Sequence, residues 1–87
     1  MLYHVQVEIM LKPTVMDAQG TTIERALHKL GHEGAQNVRI GKFVTLEMEA
    51  NSPAIARDAA ETMCRELLAN PIIEQYHVRL GDAEGVA

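Results

Sequence analysis

Asn37-Val38-Arg39-Ile40-Gly41-Lys42-Phe43-Val44-Thr45-Leu46-Glu47-Met48-Glu49-Ala50 sets the strand count of this 87-residue chain. Apolar and polar residues alternate on both sides of Gly41. Val38 and Ile40 share one face of a short strand over 37–40, and Val44, Leu46 and Met48 share a face of a longer one over 43–50. Gly41-Lys42 fits a two-residue type II′ turn with glycine first, which predicts a hairpin. The other reading is one long strand bent at Gly41.

Outward from this stretch, residues 2–11 alternate, with Tyr3, Val5, Val7, Ile9 and Leu11 on one face. Lys12-Pro13-Thr14 ends that strand, since proline has no N–H to give a ladder. Asp17 is a suitable N-cap for a first helix carrying Ile23, Ala26, Leu27 and Leu30. Gly20 disfavours helix by about 1 kcal/mol relative to alanine and moves the expected start to Thr21 or Thr22. His28 and Lys29 suit the last turn, and Gly31 suits a left-handed C′ position. Ser52 and Pro53 open a second helix with Ala56, Ala60, Met63 and Leu67 on one stripe. Asn70 is expected in the left-handed C′ position, and Pro71 forbids continuation. A last strand over 73–80 points Tyr76, Val78 and Leu80 inward.

The order is β-α-β-β-α-β. It predicts an α+β fold: a four-stranded, mainly antiparallel sheet with two helices on one face. One domain over 1–80 is expected, followed by a flexible tail over 81–87. So short a chain buries only about 60% of its unfolded surface. The uncovered sheet face would carry Met10 and Phe43 among polar residues, so the protein is expected to be oligomeric.

Composition narrows the function. Eight Lys and Arg against twelve Asp and Glu give a formal charge of −4, and aromatics are only 3%. Neither phosphate attraction nor base stacking is served, so no nucleic-acid partner is expected. No apolar run reaches the roughly 20 residues of a membrane span, and no membrane role is expected. The lone Cys64 forms no intrachain disulfide and suits the cytoplasm.

Reactive groups are sparse. His4 and His77 approach each other if the first and last strands are neighbours, yet no metal-type spacing accompanies them. Cys64 sits by the apolar stripe without a paired base and reads as packing. Glu47 and Glu49 share a strand side rather than opposing each other across a cleft. No catalytic, cofactor-binding or metal residue is therefore expected. Arg39 with Gly41-Lys42 is the one constellation that could grip a carboxylate, a phosphate or an acidic partner.

Four blocks resemble one family. They are Lys12-Pro13-Thr14-Val15-Met16-Asp17-Ala18-Gln19-Gly20, Ala26-Leu27-His28-Lys29-Leu30-Gly31, Val38-Arg39-Ile40-Gly41-Lys42, and the run from Met63-Cys64-Arg65 through Ala69-Asn70-Pro71 to Glu74-Gln75-Tyr76. Together they resemble the PurS family, the small subunit of phosphoribosylformylglycinamidine synthase in purine biosynthesis. The resemblance covers residues 1–80. It implies a non-catalytic subunit of an ATP-dependent glutamine amidoligase that converts formylglycinamide ribonucleotide to the amidine. It also implies self-assembly to a dimer or tetramer, and bridging of a glutaminase subunit (PurQ) and a synthetase subunit (PurL). ATP and Mg would be used by the synthetase, with no cofactor on this chain. Ala18 stands where the family commonly has proline, and His77 and Arg79 where acidic residues are frequent. Of the matching positions, Lys12, Pro13, Arg39, Gly41, Lys42, Asn70 and Pro71 are the expected partner-facing residues. The competing reading from the fold order alone is a stand-alone regulatory module that binds a small ligand.

Overall fold

The alternating run at the N-terminus becomes the centre of the sheet. In the computed structural model, which describes residues 1–82, Leu2–Leu11 is strand β1, and Tyr3, Val5, Val7 and Ile9 are buried along it. Helix α1 spans Ala18–Lys29, strand β2 Gly41–Glu49, helix α2 Pro53–Met63 and strand β3 Glu74–Asp82. A π-helical turn, Cys64–Leu68, continues α2. The sheet order is β2-β1-β3, with both pairs antiparallel. The registers stack Leu46, Val5 and Leu80 in one row and Val44, Val7 and Val78 in the next. These rows pack with Ala60, Cys64 and Ala69 into the core. Period-two patterning thus selects one face on all three strands.

Among the described residues the sheet has three strands, not the expected four. Residues 37–40 pair with no strand. Asn37 has φ 57°, in the left-handed region, which interrupts extended backbone at the start of the run. The N–H groups that a neighbouring strand would accept go elsewhere. Val38 N–H donates to Glu24 Oε1 at 3.0 Å, and Ile40 N–H donates to Asp17 Oδ2 at 2.7 Å. Two carboxylates on or beside α1 therefore take the place of the missing ladder. There is no hairpin turn at Gly41-Lys42; β2 begins at Gly41, opposite Met10.

The helices also part company. α2 lies on the sheet over β1 and β3. α1 does not share that face, and its one buried residue is Gly20, at its root. The segment 31–40 returns along α1, tied by His28 Nε2 to the Ala35 carbonyl at 2.7 Å and by Glu24 to Val38. Residues 18–40 thus form an arm at one end of the sheet. The molecule measures 50 × 30 × 14 Å. A ten-residue strand supplies about 33 Å of that length and a twelve-residue helix about 18 Å, so the arm lengthens the protomer rather than thickening it.

Gly20 belongs inside α1, which starts at Ala18 and not at Thr21. A Cβ at position 20 would collide with the Val38 carbonyl oxygen, so only glycine allows this close approach. Gly31 takes the left-handed C′ position with φ 100°. Ser52 Oγ accepts the Ile55 N–H at 3.2 Å, with Pro53 at the start of α2. Asn70 is not left-handed. The helix ends instead through the π turn, where the Ala69 N–H donates to the Cys64 carbonyl at 3.0 Å, and Ala69 itself is extended. The Pro71 ring pushes its predecessor toward extended backbone, and Asn70 serves as a turn acceptor for the Ile72 N–H at 3.1 Å. Of the expected tail, Gly81 and Asp82 extend β3, and 83–87 lie outside the described residues.

Candidate partner interface

The expected partner-facing residues converge. Lys12 and Pro13 follow β1, Arg39 precedes β2, Gly41 and Lys42 open it, and Asn70 and Pro71 lead into β3. Because β1 is antiparallel to both neighbours, its C-terminal end meets the starts of β2 and β3, where Met10 faces Gly41 and Gln75. All seven residues therefore sit at the end of the sheet from which the arm leaves.

Most of their polar groups are spent inside the protomer. Arg39 Nη2 donates to the carbonyls of Lys12 and Val15, each at 3.0 Å, and closes the turn after β1. Lys42 Nζ donates to the Leu68 carbonyl at 3.3 Å and lies 3.8 Å from Glu74 Oε2. Glu74 Oε1 in turn accepts the Asn70 N–H at 2.6 Å. The two cations expected to grip a ligand are thus staples: Arg39 holds the 12–15 turn, and Lys42 ties the end of the π turn to β3. Pro13, Gly41 and Pro71 are exposed, and Lys42 keeps a mostly exposed side chain. A groove of about 400 Å³ runs beside them, lined by Met10, Leu11, Pro13, Asn37, Arg39 and Gln75.

Asp17 does more than the capping that its sequence position suggests. It is buried, and its two oxygens serve two elements. Oδ1 accepts the Gly20 N–H at 2.8 Å as N-cap, and Oδ2 accepts the Ile40 N–H. The Ile40 and Gly20 N–H bonds, with the Arg39 charge adding, hold its carboxyl below the usual aspartate range against the opposing effect of burial. Asp17 and Glu24 lie seven residues apart, on one face of α1, and that spacing was the sequence signal for the latch.

No catalytic constellation forms among the described residues. His4 and His77 do face the same side of neighbouring strands, but His4 pairs with Gly81 and His77 with Glu8. Four positions of strand, roughly 13 Å, separate them. No group of three or more His, Cys, Asp or Glu among the described residues could hold a metal ion. Cys64 is buried in the core, and burial followed by the Glu61 charge pushes its thiol up, away from nucleophilic character. On the outer face Arg79 pairs with Glu8 at 2.8 Å, a solvated cross-strand pair. No described helix is long and apolar enough to cross a membrane.

Comparison with known proteins follows this geometry closely. The family model described as PurS, phosphoribosylformylglycinamidine (FGAM) synthase, matches residues 4–82. A phosphoribosylformylglycinamidine synthase subunit PurS of Synechocystis is 41% identical over 83 residues, covering 95% of this chain and 83% of that one. A chain of PurLQS from Thermotoga maritima superposes with a TM-score of 0.86 at 33% identity, over 93% of this chain and 99% of the other. Bacillus subtilis PurS superposes with a TM-score of 0.81 at 36% identity, over 92% and 99% respectively.

Proposed function

The chain belongs to the PurS family of phosphoribosylformylglycinamidine synthase subunits, and on that premise we propose that it holds the other subunits together and carries no chemistry itself. The synthase is a ligase of purine biosynthesis. In the complex, a glutaminase releases ammonia from glutamine and a synthetase uses it for the ATP-dependent amidation of formylglycinamide ribonucleotide. This chain bridges the two and self-associates. ATP and Mg belong to the synthetase, no cofactor binds here, and the complex works in the cytoplasm.

The observation that carries this reading is the superposition on a chain of the PurLQS assembly over nearly the whole fold. The docking patch for the larger subunits is the end of the sheet that gathers Lys12, Pro13, Arg39, Gly41, Lys42, Asn70 and Pro71. Within it, Arg39 and Asn70 act from behind by fixing loop shape, while Pro13, Lys42 and Pro71 touch the partner.

Co-purification with the glutaminase and synthetase subunits tests the patch. Lys42→Glu, with its fold checked by far-UV circular dichroism, is expected to weaken capture of at least one partner. Capture of both at wild-type levels removes Lys42 from the interface. Failure of the wild-type chain to join either subunit refutes the assembly role itself.

A further inference from the structure

β3 is an edge strand, so one row of its backbone groups faces away from the sheet. The register says which ones. Lys12 N–H donates to the Ile73 carbonyl at 2.8 Å, one step beyond the Leu11–Glu74 pair. Bonded pairs recur at every second residue of an antiparallel ladder. Glu74, Tyr76, Val78 and Leu80 therefore stand in the non-bonded pairs with β1, and their N–H and C=O groups point outward.

Two of these outward groups are already taken. At the first residue of the strand, Glu74 N–H donates to the Asn70 carbonyl at 2.7 Å. Near the middle, the Val78 carbonyl accepts from Arg57 Nη1 at 2.9 Å. Arg57 reaches it from α2, and it forms no ion pair among the described residues. The length is that of an ordinary ladder bond. The guanidinium thus stands where the N–H of an added strand would stand.

This edge invites addition. Residues 72–80, Ile72-Ile73-Glu74-Gln75-Tyr76-His77-Val78-Arg79-Leu80, are rich in strand formers, hold no proline or glycine, and balance Glu74 against Arg79. Ile72 and Ile73 are exposed at its start. A free edge of that composition is a template for the same segment of another molecule.

We propose that Arg57 guards the β3 edge: by holding the Val78 carbonyl it keeps a strand of a second copy from adding there, and so ends growth of the sheet on that side. The guard concerns the size at which assembly stops, not the capture of the larger subunits. Because the same bond also ties α2 to β3, its two roles must be separated by experiment.

Sedimentation velocity of the whole chain over a wide range of concentration compares wild type with Arg57→Met and Arg57→Gln. Neither replacement can hold the carbonyl as the guanidinium does, and both put a good helix former at an exposed position of α2. Losing the cation makes the chain more negative than its formal −4, which by itself opposes association. Assemblies at least twice the mass of the wild type's, growing with concentration, are nevertheless expected. Variants of wild-type size, whether or not their urea midpoint falls, show that the bond only pins α2 to β3 and overturn the guard. Amide exchange followed by NMR examines the wild type itself. With an excess of a synthetic peptide of residues 72–80, the outward N–H groups of Tyr76, Val78 and Leu80 should keep their rates in the wild type and slow by about tenfold or more in Arg57→Met. A wild type in which the peptide slows them to that extent overturns the guard without any variant having to fold.

Discussion

Gly20→Ala is a substitution that two effects push in opposite directions. In an ordinary exposed helix it stabilises by about 1 kcal/mol, because alanine loses less backbone entropy. Here the added Cβ meets the Val38 carbonyl oxygen and also stands 3.0 Å from Asp17 Cγ and Oδ2. Neither neighbour can yield cheaply. Val38 is held by its N–H bond to Glu24 at 3.0 Å, and Asp17 by its bonds to Gly20 and Ile40 at 2.8 and 2.7 Å. Overpacking against atoms so held costs about 1–3 kcal/mol, with a collision against backbone at the upper end. The net expectation is a loss of about 2 kcal/mol. Urea unfolding followed by far-UV circular dichroism, at one fixed protomer concentration because assembly adds to stability, measures it. With a slope near 1–2 kcal/mol per molar for so small a domain, the midpoint should fall by roughly 1–2 M. A midpoint that is unchanged or raised would show that the arm tolerates the methyl group, and that the 38–40 segment is not clamped against α1.

Two further predictions concern titrating groups. The Asp17 carboxyl is depressed in the folded state, so its contribution is fully present above the ordinary aspartate pKa and is lost as pH falls through the depressed value. Acid titration should unfold Asp17→Asn at a stability that varies less below pH 4 than wild type; parallel curves refute the latch. The Cys64 thiol is buried and its pKa is raised. A disulfide reagent should therefore label the native chain at least about a hundredfold more slowly than the urea-unfolded chain. Rates within a few-fold of each other would place the sulfur outside the core.

Strands β1 and β3 and the cap of α2 were legible because local signals agreed there. Alternation, Ser52-Pro53 and the Pro71 stop all pointed the same way. Residues 37–40 misled because alternation reports exposure on two faces and says nothing of what accepts the N–H groups. Glu24 and Asp17 accept them here, and a carboxylate from another element leaves no trace in a period-two count. The placement of α1 misled for a related reason. Ile23, Ala26, Leu27 and Leu30 recur at helical spacing, but a stripe does not name the surface it meets, and Ile23 and Leu30 stay exposed. Asn70 lost its expected role to a π turn, which no propensity anticipates. At the candidate interface, the fold brings the motif residues to one end of the sheet, but Arg39 and Lys42 are not the free cations that their types suggest. Their acceptors are backbone carbonyls of Lys12, Val15 and Leu68, which carry no side-chain signature.

The arm is joined to the body by two chain segments, one entering at 12–17 and one leaving at 38–40, and side chains cross-link them. A single tether would leave a swivel. Two cross-linked tethers resist torsion and pass on a fixed angle, so the arm works as a rigid gauge. Altering its root would change the direction in which α1 leaves the sheet while leaving the sheet and α2 as they are.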